Sequence, residues 1–379
     1  MDKQSFFRFV GTFAIVAAFA AGLVACAGGA DKPKPAELGA NPKLLGVTNV
    51  WSAQIGAVDF PLEVRAKKNA LALAASDGTV LALEAVSGTQ LWRTHVGVAI
   101  AAGVGYDGRF AAVVTKGNEL VVLEAGKEVW RSQLTARVFT APLVAGDRVF
   151  VLAADRSVAA FDAASGRRLW RIQRPGEALV LQQALVLMPV QNTLIAGFSG
   201  RMVAINPLSG AVIWDAAIAT PRGTNDIERL VDLVSGVRRN AGVVCTRAFQ
   251  AAIGCVDTNN GKVLWRRNAS GSVGLQGDEQ HIFGVEGDGR LVAWRAADGE
   301  PAWETDLLRF RQLSAPVVVG RSVAVGDDSG LIHLLSRKDG TPLTRLTTDG
   351  SPITVAPVLV DNTLVAVTHK GGVFGFRPE

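Results

Sequence analysis

From residue 47 onward the chain consists of short apolar runs separated by polar, glycine-rich turns. One unit shows the pattern. Leu143–Val144 leads through a Gly146-Asp147 turn to Val149–Ala153, an Asp155-Arg156 turn leads to Val158–Phe161, and Arg168–Ile172 follows. Runs of this length, bounded by turn residues, predict a meander of four short antiparallel strands. The runs are continuous rather than alternating, as expected for strands covered on both faces. After residue 45 no stretch carries an apolar stripe of 3.6-residue period over the length of a helix, so the body reads as all-β.

The unit repeats, and its tail is a recurring phrase: Ala-x-Asp, a few residues, then Gly-x-x-x-Trp. It reads Ala160-Phe-Asp162 to Gly166-Arg-Arg-Leu-Trp170, then Ala204-Ile-Asn206 to Gly210-Ala-Val-Ile-Trp214, then Cys255-Val-Asp257 to Gly261-Lys-Val-Leu-Trp265. Related copies end at Trp92, Trp130 and Trp303; Gly340-Thr-Pro-Leu-Thr344 has lost its tryptophan, and Trp51 stands alone. The intervals between these positions are 41, 38, 40, 44, 51, 38 and 41 residues. A period near forty residues with several strands per unit predicts a β-propeller. The Asp or Asn accepts turn amides, the Gly supplies a positive φ, and the Trp offers roughly 150–250 Å² of apolar surface to wedge between blades. Val47-Thr-Asn-Val-Trp51 has no blade before it, and the strands near Val355–Val360, Leu364–Thr368 and Val373–Phe376 have no Trp strand after them. Pairing the first strand with the last three closes the ring without a free sheet edge. The expectation is an eight-bladed β-propeller of four-stranded antiparallel blades over 46–379, closed by the N-terminal strand joining the C-terminal blade.

Composition adds little to this picture, and charge narrows it. The net charge of +5 includes +1 from the first 25 residues (Lys3 and Arg8 against Asp2). Much of the rest is Arg directly after the repeat Trp, as in Arg93, Arg131, Arg171, Arg266 and Arg345, so it is spread around the ring. A nucleic-acid surface needs clustering on one face, and none is expected.

The N-terminus is a targeting segment. Residues 1–25 carry Lys3 and Arg8, then the apolar run Phe13-Ala-Ile-Val-Ala-Ala-Phe-Ala-Ala-Gly-Leu-Val24, too short and wrongly flanked for a membrane span. Leu23-Val24-Ala25-Cys26 resembles the bacterial lipobox, which implies cleavage before Cys26 and diacylglycerol on its sulfur. Several acyl chains anchor stably where one does not. Ala27 in place of Asp implies outer-membrane sorting. Residues 26–45, rich in Gly and Pro and without period, read as a flexible tether.

The departures from forty are informative. Trp170 to Trp214 and Trp214 to Trp265 carry surplus residues, both between the outer Trp strand and the next inner strand, near Gly176–Leu187 and Pro221–Asp232. Equivalent loops of neighbouring blades share a propeller face, so these two are expected to form one patch. An apolar loop beside a mixed-charge loop is what a protein-docking site looks like, although surface loops also lengthen without function.

Lipobox, tether, eight repeats and the Asp226-Ile-Glu-Arg-Leu-Val-Asp232 loop together resemble the BamB family, lipoprotein propellers of the outer-membrane β-barrel assembly complex, over essentially the whole chain. In that family a Leu-x-Leu-Arg loop and an Arg-Leu-x-Asp-x-Asp loop dock onto a periplasmic domain of the barrel-forming subunit, BamA. The resemblance carries the first onto Leu179 and Leu181, with Gln182 where the Arg would stand. It carries the second onto Arg229, Leu230 and Asp232, with Val234 replacing the second Asp. The two departures remove an opposite-charge pair and leave the expected dock more apolar. The implied protein is a non-catalytic scaffold without cofactor, a monomer within a hetero-complex. It faces the periplasm of a Gram-negative bacterium, is held to the outer membrane by its lipid alone, and assists insertion of outer-membrane proteins, meeting BamA and unfolded barrel chains.

Two alternatives stand beside it: a quinone-dependent periplasmic dehydrogenase, which shares the repeat, and a scaffold of another envelope complex. The dehydrogenases resemble this chain in the repeat but carry an adjacent cysteine pair and carboxylate/Asn ligands for Ca²⁺. Here Cys245 and Cys255 are ten residues apart, and His95, His281, His333 and His369 are scattered without metal-ligand spacing. The two cysteines fall on consecutive strands and could pair in an oxidising compartment, but a one-residue slip in register turns one side chain to the other face. The reading taken is two buried free thiols.

Overall fold

The computed structural model describes residues 33–176 and 179–379. The chain divides into two units, Met1–Pro35 and Ala36–Glu379. Of the first unit only 33–35 are described, without regular secondary structure; the signal segment and Cys26 lie outside the described residues.

The second unit consists of eight four-stranded antiparallel sheets. Blades 1 to 7 follow one another along the chain at 65–95, 100–133, 143–173, 187–217, 233–268, 276–305 and 317–347, each with strands in sequence order from inside to outside. Blade 8 has Val358–Val360, Thr363–Val367 and Gly372–Pro378, and its outer strand is Val47–Gln54 from the other end of the chain. Val47 pairs with Pro378 and Gln54 with Gly372. The expected eight blades and the expected closure are therefore both present, and no helix occurs among the described residues. The central strands are buried on both faces, as Leu71, Leu73, Leu81, Val113 and Ile195 show, which explains their unbroken apolar runs.

The repeated phrase works across blade boundaries. The Trp130 indole of blade 2 donates Nε1–H to the Ala163 carbonyl of blade 3 at 2.8 Å, and its ring lies against Gly166. Gly166 has φ +73°, and a Cβ there would sit 2.7 Å from the ring. Trp51, Trp170, Trp214, Trp265 and Trp303 make the same bond to the next blade, at 2.9–3.0 Å. Gly166→Ala therefore combines left-handed strain with a clash. It is expected to lower stability by roughly 2–3 kcal/mol in urea unfolding. Gly146→Ala, at φ +57° with nothing within 4 Å of the new Cβ, is expected to lose only about 1 kcal/mol. Equal losses at the two sites would show that the ring does not press on Gly166.

Two expectations are corrected. The first concerns the tether. Residues 36–45 lie along the outer edge of blade 7 instead of forming a flexible spacer. Ala36 N donates to Arg309 O at 2.9 Å and Leu44 N to Leu343 O at 2.7 Å. The Asn41 side chain brackets Arg345, donating to its carbonyl and accepting from its amide, both at 2.9 Å. Thr344 explains the need for this cover. Blade 8 draws its outer strand from the N-terminus and so has no Gly turn to receive a tryptophan from blade 7. The strap takes that place and satisfies the exposed strand edge.

The second correction concerns the cysteines. The hairpin of Val243–Ala248 with Ala252–Asp257 centres on Gln250 and sets Cys245 directly opposite Cys255. The two are fully buried and joined by a disulfide. Register parity, which composition does not encode, put both side chains on one face.

Candidate functional site

In an antiparallel meander, connections from one blade's outer strand to the next blade's inner strand emerge on the same face as the turns between the two middle strands. Both long loops do so: one joins Arg168–Gln173 to Leu187–Val190, the other Val212–Ala217 to Leu233–Asn240. They are stitched to each other. Leu185 forms an antiparallel bridge with Val234, Val186 N donates to Leu233 O at 3.0 Å, and Ser235 N donates to Ala184 O at 2.8 Å.

The centre of this junction is Asp232, 1 % exposed. Its Oδ1 accepts Arg156 Nη1–H at 3.0 Å and the Ser199 amide at 3.1 Å; its Oδ2 accepts the Leu181 amide at 3.1 Å. Arg156 Nη2 in turn donates to the Leu179 carbonyl at 3.0 Å. One buried carboxylate thus ties together the blade 3 turn, the blade 4 turn and both long loops. A buried ion pair is sustained when further hydrogen bonds satisfy its remaining groups, as these do.

The expected partner-binding residues separate by exposure. Leu179 (39 % exposed) and Gln182 face solvent, while Leu181, Arg229 and Leu230 are half-buried, Leu181 packing beside Leu185 and Phe198. Asp232, expected at the contact surface, is instead the internal clasp. Val234 is 2 % exposed within the inner strand of blade 5, so its side chain is not part of the exposed loop surface. The second loop is shaped locally by a turn in which Thr224 N donates to Glu228 Oε2 at 2.8 Å and Glu228 N to Asn225 Oδ1 at 2.9 Å. The Thr224 amide holds the Glu228 carboxyl below its ordinary range. At the tip stands Ile227, 75 % exposed.

Sequence reasoning did not assign Arg156 or Ile227 to the site. No spacing signals a partner 76 positions from Asp232. The one local sign is that Arg156 occupies a turn at φ +60°, where a Gly or Asn is usual.

The ring's centre holds a cavity of about 560 Å³ lined by inner-strand residues such as Ala66, Met188 and Val317. Glu63 of the segment leading into blade 1 reaches Ser235 of blade 5, accepting its hydroxyl, and pairs with Arg65 at 2.6 Å. This crossbar spans the channel. Among the described residues no group of three or more His, Cys, Asp or Glu side chains could hold a metal ion.

Fold and loops together define a class: an eight-bladed propeller with indole-docked blades and a clasped pair of loops presented on one face. The family model described as "Outer membrane protein assembly factor BamB" matches residues 76–305. A protein of that name from Burkholderia pseudomallei is 35 % identical over 340 residues, covering 89 % of each chain. The crystal structure of BamB from Moraxella catarrhalis superposes with a TM-score of 0.80 at 23 % identity, over 87 % of this chain and 99 % of that one. The quinohemoprotein alcohol dehydrogenase of Comamonas testosteroni shares the fold at a TM-score of 0.69 and 14 % identity, over 90 % and 78 %. The chain belongs to the BamB family of outer membrane protein assembly factors.

Proposed function

We propose that this protein is a non-catalytic docking subunit of the machinery that inserts β-barrel proteins into the outer membrane of a Gram-negative bacterium. Cys26 carries its lipid anchor, and the propeller faces the periplasm. The loops 176–187 and 221–232 grip a periplasmic domain of the barrel-forming subunit, BamA, and the rim faces incoming barrel chains. The observation that carries this reading is the clasp. Two loops from consecutive blades are held as one body by Asp232, so Leu179, Gln182 and Ile227 are presented without loop ordering on binding.

Capture of the barrel-forming subunit by this protein tests the reading. Leu179→Asp and Ile227→Asp alter exposed side chains and leave the clasp intact. Each is expected to weaken capture about tenfold or more, the loss of an apolar contact contributing about 1.4 kcal/mol. Wild-type capture by both variants would reject these loops as the dock.

A further inference from the structure

A second exposed apolar feature lies on the same face, two blade boundaries beyond the nearer dock loop. The connection from blade 6 to blade 7 carries Leu307 (46 % exposed) and Phe310 (38 % exposed). Phe310 has φ +57°, a conformation that bulky residues adopt only when the surroundings impose it. The imposing contacts are visible. Phe310 N donates to Asp288 O at 2.8 Å, Arg309 N donates to Asp306 O at 2.9 Å, and Leu308 is buried below them. Arg309 lies 5.1 Å over the Phe310 ring and pairs with Asp288 at 3.2 Å. The loop therefore holds an aromatic ring and a guanidinium at the surface.

The chain's own geometry says what lies nearby. Ala36 is fixed to this loop: its amide donates to Arg309 O at 2.9 Å, and its carbonyl accepts Arg311 Nη2 at 3.0 Å and Nε at 3.2 Å. Arg311 is itself held by the buried Asp327 at 3.0 Å, which also meets His333 Nε2 at 2.9 Å. Cys26 stands only ten positions before Ala36 (36 − 26), so an anchored chain keeps Ala36 within about 35 Å of the lipid, even fully extended.

We propose that Leu307, Phe310 and Arg309 form a membrane-contact patch that rests on the phosphate-bearing surface of the leaflet holding the anchor. Leu307 and Phe310 enter the headgroup boundary, and Arg309 meets lipid phosphate, the arrangement typical of interfacial aromatic and Arg side chains. With several acyl chains already in place, the patch adds orientation rather than affinity. It turns the blade 6–7 edge to the membrane and leaves the blade 3–5 loops turned away for the protein partner. This inference rests on the lipid-anchor part of the proposed function.

The test uses the full acylated chain on vesicles of phosphatidylethanolamine and phosphatidylglycerol. An environment-sensitive fluorophore is placed at Phe310→Cys, at Leu307→Cys, or at Leu208→Cys in a turn on the opposite face. The expected result is a blue shift and quenching by brominated acyl chains at 310 and 307, and neither at 208. Vesicle-bound protein with no shift at either loop position would overturn the patch and leave the anchor standing. A shift that needs added barrel-forming subunit would assign the patch to a protein partner and equally overturn it. A mature chain whose mass lacks acyl groups would remove the anchor reading and this inference with it.

Discussion

Asp232→Ala is expected to loosen both long loops at once and to lower stability by about 3 kcal/mol or more, because it removes the carboxylate facing a buried guanidinium. The same change removes the acceptor for the Leu181 and Ser199 amides. Losses from a shared centre do not divide into independent parts. Urea unfolding would show the drop. Capture of the barrel-forming subunit should fall with it, since Arg156 also holds the Leu179 carbonyl. Asp232→Asn, which keeps the shape and one acceptor oxygen but removes the charge, should fall between parent and alanine in both measurements. A stability unchanged by Asp232→Ala would mean that the clasp contributes nothing to the loops. Capture lost with stability unchanged would return Asp232 to the contact surface.

Glu286→Ala is expected to be as damaging, by about 3–5 kcal/mol, at a charge pair one strand away from the clasp, since Arg247 is the register partner of Val234. Arg247 is fully buried, and its Nη1 donates to Glu286 Oε1 at 2.9 Å. Its Nε and Nη2 meet no acceptor among the described residues. Burial pulls the guanidinium below its ordinary pKa, and Glu286 works against that shift. Glu286 also accepts the Ser270 amide at 2.6 Å and hydroxyl at 2.9 Å, so it ties the blade 5–6 connection to the blade 6 turn. Removing it leaves a desolvated cation whose remaining support is the Trp294 ring at 5.8 Å. The paired change Arg247→Met with Glu286→Leu should recover most of the loss, because apolar residues of similar volume need no compensation. A single variant within 1 kcal/mol of the parent would show that the pair is more solvated than its burial indicates.

The clasp at Asp232 and the pair at Arg247 serve one architectural purpose. Each centres on a carboxylate that joins a blade-to-blade connection to a middle turn on the same face, Glu286 through Ser270, and Arg311 and Asp327 do likewise on blade 7. The opposite face relies on the repeated Gly turn and the indole bond. The ring is thus held by a periodic device on one side and by individual charge pairs on the other.

That division also explains what could be read before the structure. The amino-acid sequence by itself determined the eight sheets, their four-stranded order, the closure by Val47–Gln54 and the lengthened loops, because each is a local signal copied many times along the chain. Tertiary structure alone decided the opposition of Cys245 to Cys255, the burial of Asp232 against Arg156, and the fastening of residues 36–45 to blade 7. Each of these depends on which face a side chain takes, or on contacts between residues far apart in sequence. Register parity and charge pairing across blades leave no period in the chain, so they become visible only when the ring is closed.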